Sequence, residues 1–115
     1  MNLEIKELKS INAIELRQPS DIYIGDLLSC VMANIEPESL WLTTQTNMNV
    51  MAIAHLHDLV GIIFVEGMEP EEAIIQKANE CEVALFTYPG SAFHLGVQLK
   101  DVVLWFAYPL SVIAL

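Results

Sequence analysis

Two runs of sequence decide the fold, GDLLSCVMAN at residues 25–34 and LWLTTQT at residues 40–46. In the first run apolar residues recur at positions i, i+1, i+4 and i+5, which predicts an amphipathic helix from Asp26. The second run predicts a buried strand that ends in four polar residues, 43–46, at the start of another helix. A turn with the sequence EPES at residues 36–39 separates the two elements.

The same alternation of strand and helix continues along the chain. We expect strands over residues 12–16, 21–24, 40–44, 60–65 and 83–87. We expect helices over residues 26–34, 47–58, 70–81 and 91–99, and either a short helix or a strand over 3–9. The run VGIIFV at 60–65 predicts a central strand covered on both faces, and the helix at 47–58 is apolar almost all round, which predicts that it is buried. The alternation predicts an α/β fold, a single layered domain with a parallel or mixed sheet flanked by helices.

The composition is that of one apolar and acidic domain. At 115 residues the chain has room for one core, and 54% of its residues are apolar whereas only 17% are charged. Because so small a domain cannot hide that much apolar surface internally, we expect a partner or a second copy to cover part of it. The net charge of −10 disfavours nucleic acid and anionic membrane surfaces as partners, since both require clustered Lys and Arg.

The cysteines and the two ends of the chain bear on its compartment. Cys30 and Cys81 have no CxxC spacing and lie among apolar residues, which predicts two buried, reduced thiols and a cytoplasmic protein. No basic and then apolar leader follows Met1, so no secretory signal is expected. The tail at 102–115 is apolar, but it is shorter than the ~20 residues that span a bilayer, and Pro109 interrupts it.

The tail allows several interpretations. Residues 102–107 fit an edge strand, a helix, or a segment that docks on a neighbouring subunit. The aromatic residues of the tail either cover an interface between subunits or complete the core of the domain itself. The candidate interface residues are therefore Trp105, Phe106 and Tyr108.

Three junctions between a strand and a helix form the candidate ligand site, at residues 23–26, 43–47 and 87–91. If the strands run parallel, these loops meet at one edge of the sheet, where α/β proteins bind ligands. Their hydroxyls, amides and free backbone N–H groups suit an anion or a small polar metabolite, although Asn47 and Ser91 also fit ordinary helix capping. The candidate ligand-binding residues are Gly25, Asp26, Thr44, Gln45, Thr46, Asn47, Pro89, Gly90 and Ser91.

No arrangement of residues points to catalysis or to a metal. His55 and His57 are two residues apart on a predicted helix and therefore point about 200° away from each other, whereas metal-binding pairs use a spacing of i, i+3 or i, i+4. His94 stands alone on the last predicted helix. The chain has no nucleophile elbow and no glycine-rich phosphate loop. We therefore expect no catalytic residues, no metal ion and no cofactor.

Four segments in order resemble the DRTGG-domain family: YIGDLLSCVMAN (23–34), LWLTTQT (40–46), GIIFV (61–65) and SAF (91–93). The resemblance covers about residues 3–100, so the expected organisation is one DRTGG-like domain over 1–115, with the apolar tail at 101–115 outside the resemblance. It implies a small α/β layer structure like the N-terminal domain of HPr kinase/phosphorylase, without the kinase active site. Such domains also resemble regions fused to phosphotransacetylases or paired with nucleotide-sensing CBS domains. The family is regarded as regulatory, with no established catalytic activity.

The naming motif of the family is degenerate in this chain. The motif is an Asp-Arg pair followed shortly by Thr-Gly-Gly, and this chain has LRQPSDI at residues 16–22 in that place. Arg17 matches, Ser20 stands in for the threonine, Leu16 replaces the aspartate, and both glycines are missing. Their loss removes the close backbone approach that glycine allows.

Two functional hypotheses follow. The first is a non-catalytic regulatory or assembly module that works as a homodimer or larger homo-oligomer and through contact with a regulatory protein partner. The alternative is a sensor that binds a nucleotide or a phosphorylated metabolite at the strand-to-helix loops.

Overall fold

The computed structural model describes residues 1–103, which form five strands and four helices. The strands are β1 (Lys9–Ser10), β2 (Ile22–Ile24), β3 (Leu40–Thr43), β4 (Gly61–Phe64) and β5 (Ala84–Thr87). The helices are α1 (Leu28–Asn34), α2 (Asn49–Leu56), α3 (Glu72–Cys81) and α4 (Ala92–Val103). The candidate interface residues Trp105, Phe106 and Tyr108 lie outside the described residues. Within 1–103, no helix combines the length and the apolar character needed to cross a membrane.

Four of the strands form a parallel sheet in the order β5-β4-β3-β2, and β1 joins the outer side of β5 in the antiparallel direction. In the register of the sheet, Trp41 of β3 lies between Tyr23 of β2 and Ile62 of β4. β4 is the middle strand, as its apolar run predicted, and all four of its residues are buried. The fold is a single α/β domain with a mixed sheet flanked by helices, which confirms the predicted fold class.

The helices divide between the two faces of the sheet. α1, α2 and α3 connect neighbouring parallel strands and pack side by side on one face, over a core that includes Trp41 and Phe64. α4 packs on the opposite face, where Leu95 and Leu99 join Leu42 in a second core cluster. Because successive side chains of a strand point to opposite faces of the sheet, Trp41 of β3 lies on the first face and Leu42 on the second.

The strand predicted over 12–16 is wrong. The Asn12 side chain occupies the edge of β5 instead, since its Nδ2 donates to the carbonyl of Val83 (2.8 Å) and its Oδ1 accepts from the N–H of Leu85 (2.9 Å). One side chain therefore replaces the backbone ladder that a strand would supply. Over 3–9 the chain is mostly irregular, and β1 begins only at the end of that range.

Two helices expose apolar residues that the sequence predicted to be buried. Leu56 of α2 is 66% exposed, so the prediction that this helix is buried all round is wrong. In α1 Val31 is fully buried, whereas Met32 is exposed. The physical reason is that a helix in an outer layer has the sheet on one side, and residues 1–103 supply no further layer on the other. Cys30 of α1 is exposed as well, which corrects the prediction of two buried thiols, while the second free thiol, Cys81, is half-buried.

Candidate ligand site at the carboxyl edge of the sheet

The carboxyl ends of β2, β3, β4 and β5 lie at one edge of the sheet, because these strands run parallel. The three predicted junctions therefore share that edge. A fourth loop, which follows β4, lies between the second and third junctions, since β4 lies between β3 and β5. This loop was not among the predicted junctions, because its place at the edge depends on the order of the strands, which the sequence does not show.

Asp26 joins the first junction to the second. Its Oδ1 accepts hydrogen bonds from the hydroxyl of Thr43 (2.9 Å) and from the backbone N–H of Thr44 (2.7 Å). The hydroxyl oxygen of Thr43 in turn accepts a bond from the N–H of Gln45 (3.1 Å). The two bonds of Asp26 fix the positions of the two loops relative to each other, and the third bond lies within the second loop.

Trp41 anchors the first junction from within the core. Its indole N–H donates to the carbonyl of Gly25 (2.9 Å), and its ring is fully buried. Neither Trp41 nor Thr43 was among the candidate residues. For Trp41 a usable signal existed, since a tryptophan in a strand predicted to be buried needs a partner for its N–H.

The carboxylate of Asp26 is held in its charged form. Partial burial raises the pKa of this group, but hydrogen bonds from the N–H of Thr44 and from the hydroxyls of Thr43 and Thr44 outweigh the burial and hold the pKa below its ordinary value. Because the folded pKa is below the unfolded one of ~3.9, these bonds contribute stability that is complete above the unfolded pKa. That contribution is lost as the pH falls through the folded pKa.

Asp26→Asn is expected to remove this pH-dependent contribution, because asparagine carries no charge to be stabilised. Between pH 6 and pH 3 the free energy of unfolding should fall further for the wild-type protein than for the variant. Urea unfolding at a series of pH values measures both, and their difference separates Asp26 from the other acidic residues. Thr43→Val removes one hydrogen-bond donor to Asp26 and keeps the shape of the side chain. Its free energy of unfolding should fall between pH 6 and pH 3 by an amount between those of the wild type and Asp26→Asn. Parallel pH curves for wild type and Asp26→Asn would contradict the role given to the carboxylate.

The third junction bonds to the loop after β4. The carbonyl of Gly90 accepts from the N–H of Glu66 (2.9 Å), and the carbonyl of Tyr88 accepts from the N–H of Gly67 (3.1 Å). The buried Tyr88 also accepts a bond at its hydroxyl from the amide of Gln98 (3.2 Å). The candidate residues therefore fall into two groups on either side of β4. The first group is Gly25, Asp26, Thr44, Gln45, Thr46 and Asn47; the second group is Pro89, Gly90 and Ser91.

Two of the candidates cap helices. The Oδ1 of Asn47 accepts from the N–H of Asn49 (2.8 Å) at the start of α2, and the Oγ of Ser91 accepts from the N–H of His94 (3.1 Å) at the start of α4. The fold already uses these two oxygens. In contrast, the half-buried side chains in the middle of the first group, Gln45 and Thr46, make no hydrogen bond within residues 1–103.

Depressions in the surface lie beside the second group. One of about 350 Å³ is lined by Glu7, Lys9, Gly67, Glu69, Thr87, Tyr88 and Pro89. Another, of about 500 Å³, is lined by Glu7, Tyr88, Pro89, Gly90, Ser91 and His94. Glu7 and Lys9 were not among the candidate residues, because no local pattern connects the N-terminal segment to this edge. The carboxylates of Glu7 and Glu69 outnumber the cation of Lys9, which makes this side of the edge unfavourable for phosphate groups.

The residues of the degenerate family motif lie at the opposite edge of the sheet, because they precede β2. The hydroxyl of Ser20 donates to the carbonyl of Pro37 (2.6 Å), and its N–H donates to the carbonyl of Glu38 (3.0 Å). The guanidinium of Arg17 lies 4.0 Å from the carboxylate of Asp58. Ser20 thus fastens the turn that leads into β3, and Arg17 lies beside the turn that leads into β4 in an exposed ion pair that contributes little to stability. The structure does not bring either residue to the candidate ligand loops.

The histidines are not grouped with other metal ligands. In the part of the chain that the structure describes, no three His, Cys, Asp or Glu side chains are arranged to hold a metal ion. The Nε2 of His57 lies 3.0 Å from the carbonyl oxygen of Met32, which links α2 to α1. His55 is exposed on α2.

Comparison with known proteins adds one finding about the fold. No family model matches the chain, and no curated protein matches it by sequence. Among solved structures it is similar to the CBS and DRTGG domains of the regulatory region of Clostridium perfringens pyrophosphatase, whose crystal structure is a complex with the activator diadenosine tetraphosphate. The TM-score is 0.70 at 15% sequence identity, and the match covers 84% of this chain and 43% of that chain. This chain therefore spans less than half of the neighbour's length, and its fold is related to one found in that regulatory region.

Proposed function

We propose that this domain is a non-catalytic regulatory module of the DRTGG type, which acts through protein contacts as a homodimer. The fold related to that of a regulatory region supports the assignment. The degenerate motif gives no support to ligand binding at that place, because the hydroxyl of Ser20 is already bonded to the carbonyl of Pro37 and Arg17 lies beside Asp58. The observation that carries the proposal is an exposed apolar surface on the outer side of α1, α2 and α3, which we call the helical face.

The helical face exposes several large apolar side chains. Leu56 and Met48 of α2 are 66% and 45% exposed, and Met32 of α1 is exposed beside them. A groove of about 390 Å³ between α2 and α3 is lined by Met48, Asn49, Met51, Ala52, His55, Lys77 and Cys81. Methionine side chains adapt to different partner shapes, and an apolar patch on a small domain is typical of a protein interaction site.

The charge of the groove favours contact with a second copy of the chain. Two copies with a net charge of −10 each repel one another. A contact between copies therefore requires a surface without carboxylates. The groove lining contains no acidic residue, and its charged member, Lys77, lies 3.6 Å from the carboxylate of Glu80 one turn further along α3, so the two charges offset each other at the rim of the groove.

Ala52→Glu tests this contact. The exposed Ala52 lines the groove, and a carboxylate there would meet apolar side chains of the partner and lose its hydration. We expect self-association at least ~10-fold weaker than that of the wild type, a change of about 1.4 kcal/mol. Sedimentation equilibrium over a range of concentrations measures the dissociation constant. Asn2→Glu adds the same charge at an exposed residue whose neighbours Met1 and Leu3 pack against the core cluster on the opposite face of the sheet, and this variant should associate like the wild type.

Two results would contradict the proposed contact. A wild-type protein that stays monomeric at every concentration rules out the homodimer. A dimer that Ala52→Glu and Asn2→Glu weaken equally rules out the groove as its interface.

A second candidate function is a sensor of a nucleotide or a phosphorylated metabolite. It is favoured by the activator diadenosine tetraphosphate in the structurally similar regulatory region. We place the ligand at the first group of candidate residues, because the side chains of Gln45 and Thr46 are available for hydrogen bonds there. The second group is less suited, since two carboxylates, of Glu7 and Glu69, lie beside it with one cation, Lys9. The first group contains one carboxylate, that of Asp26, and Thr43 and Thr44 already bind it.

A thermal-shift screen tests the sensor, with diadenosine tetraphosphate, mononucleotides and acyl phosphates as probes. A ligand present at about a hundred times its dissociation constant should stabilise the protein by ~2.7 kcal/mol. Gln45→Ala should abolish the shift, while Gln76→Ala, on the exposed side of α3, should retain it. A flat screen contradicts the sensor, and a shift that survives Gln45→Ala contradicts the position of its site.

A further inference from the structure

Sulfur and imidazole side chains meet in the groove between α2 and α3. The lining of the groove includes the thioethers of Met48 and Met51, the ring of His55 and the thiol of Cys81. The three residues that come from α2 are three or four positions apart in sequence, so they share one face of that helix. Cys81 ends α3 and packs against the core cluster that contains Met51. Two helices therefore bring four side chains that bind soft metal ions to one space.

All four groups are available to a ligand. Cys81 is a free thiol, and the ring of His55 makes no hydrogen bond within residues 1–103. Met51 is 3% exposed and lines the groove from the side of the core, whereas Met48 is 45% exposed at its rim. Methionine has three rotatable bonds and a polarisable sulfur, so both thioethers can adjust their positions around an ion. The groove of about 390 Å³ has room for that adjustment.

The chemistry of these groups favours a soft, singly charged ion. Thiolate and thioether sulfur select Cu(I), whereas Mg²⁺ and Ca²⁺ require oxygen ligands, and the groove lining drawn from residues 1–103 has no carboxylate. The ammonium group of Lys77 lies in the same lining and opposes a divalent ion. It opposes Cu(I) little, because Cu(I) bound to one thiolate carries no net charge, and Glu80 at 3.6 Å offsets the charge of Lys77.

We propose that the groove between α2 and α3 binds one Cu(I) ion through the thiolate of Cys81, the two methionine thioethers and the imidazole of His55. The thiol releases its proton to solvent as the ion binds, and copper keeps its oxidation state. The sequence gave no sign of this site because Cys81 and His55 lie on different helices, which only the fold places side by side.

The metal site does not depend on the proposed homodimer, although both use the same groove. All four ligands belong to one chain, so the expected stoichiometry is one ion per chain for a monomer and for a dimer alike. Sedimentation tests the homodimer without metal, and metal binding is counted per chain. The failure of one proposal is therefore distinguishable from the failure of the other.

Competition for Cu(I) between the full chain and the chelator bicinchoninate, without oxygen, tests the proposal. The wild-type protein should withhold one ion per chain from the chelator. Loss of a hydrogen-bond partner of a ligand already costs ~10–100-fold in metal affinity, so Cys81→Ser, which removes a ligand itself, should bind at least ~100-fold more weakly. Met51→Leu conserves the volume of a core side chain, and it should bind at least ~10-fold more weakly.

Two substitutions of the same kind on α1 are the matched controls. Cys30→Ser removes the other free thiol, and Met32→Leu removes an exposed thioether. Neither residue lines the groove, so both variants should bind Cu(I) like the wild type. Alkylation by iodoacetamide checks the site in the wild-type chain and needs no variant to fold. One equivalent of Ag(I), a soft ion that is stable in air, should slow the reaction of Cys81 and leave that of Cys30 unchanged.

Three results would overturn the proposal. One is a wild-type protein that leaves all of the Cu(I) to the chelator. Another is a loss of affinity in Cys30→Ser as large as that in Cys81→Ser, because the ion would then be held by exposed thiols rather than in the groove. The third is equal affinity of Met51→Leu and Met32→Leu, which would exclude the thioether of the groove as a ligand.

Discussion

Trp41→Ala is expected to lower the free energy of unfolding by about 3–5 kcal/mol. The ring of Trp41 is fully buried in β3, under α1 and α2, and its removal leaves a cavity in a layer that cannot fully collapse. The substitution also removes the donor to the carbonyl of the half-buried Gly25, and the loss of this hydrogen bond adds a cost of about 0.5–1.5 kcal/mol. Since such domains are stable by only about 5–15 kcal/mol, most of the stability would be lost.

Trp41→Phe separates the two parts of this effect. Phenylalanine retains most of the apolar volume but has no N–H, so we expect a smaller loss of about 1–2 kcal/mol. Urea unfolding followed by far-ultraviolet circular dichroism measures all three proteins on one scale. A loss below about 1 kcal/mol for Trp41→Ala would contradict the view that this ring fills the core.

Much of the fold could be predicted because its signals are local. The apolar runs that contain β3, β4 and β5 are short, are bounded by turn residues and alternate with helical patterns. The irregular path of residues 12–16 could not be predicted in the same way. It depends on Asn12 reaching Val83 and Leu85, which are about 70 residues away in sequence and carry no mark of that contact.

The candidate site was predicted only as a set of loops. Their common edge follows from parallel strands, but the split into two groups depends on the place of β4 in the strand order. The separation of Arg17 and Ser20 from those loops could be predicted, because a segment before a strand and a loop after it lie at opposite ends of the strand. The hydrogen bonds of the Asp26 side chain could not be predicted, since Asp26 and Thr43 lie 17 residues apart and no pattern pairs them.

Gly61→Val is expected to lower the free energy of unfolding by about 3 kcal/mol or more. At this residue β4 lies in close contact with both neighbouring strands and with the N-terminal segment. A Cβ atom there would lie 2.9 Å from the Cδ1 of Leu16, 3.0 Å from the carbonyl oxygen of Ala84 and 3.1 Å from the Cδ1 of Leu40. The leucine side chains can shift, but the Ala84 oxygen belongs to the backbone of β5. Overpacking of this kind costs about 1–3 kcal/mol for a few added methyl groups, and a displaced strand adds to it.

Replacement by alanine should change the free energy of unfolding in opposite directions at Gly61 and at Gly96. Replacing glycine by alanine restricts the unfolded chain and stabilises a protein by about 0.4–1 kcal/mol where the folded state accommodates the new methyl group. Gly96 lies in α4 and a Cβ there meets Ile24 at an ordinary 3.4 Å, so Gly96→Ala should be neutral or stabilising. At Gly61 the contacts of about 3 Å should make the substitution by alanine destabilising, though less so than the substitution by valine. Since Leu16 packs against this glycine, trypsin should also cut faster after Arg17 in Gly61→Val than in the wild type. Equal changes in the free energy of unfolding for Gly61→Ala and Gly96→Ala would contradict the close contacts described for β4.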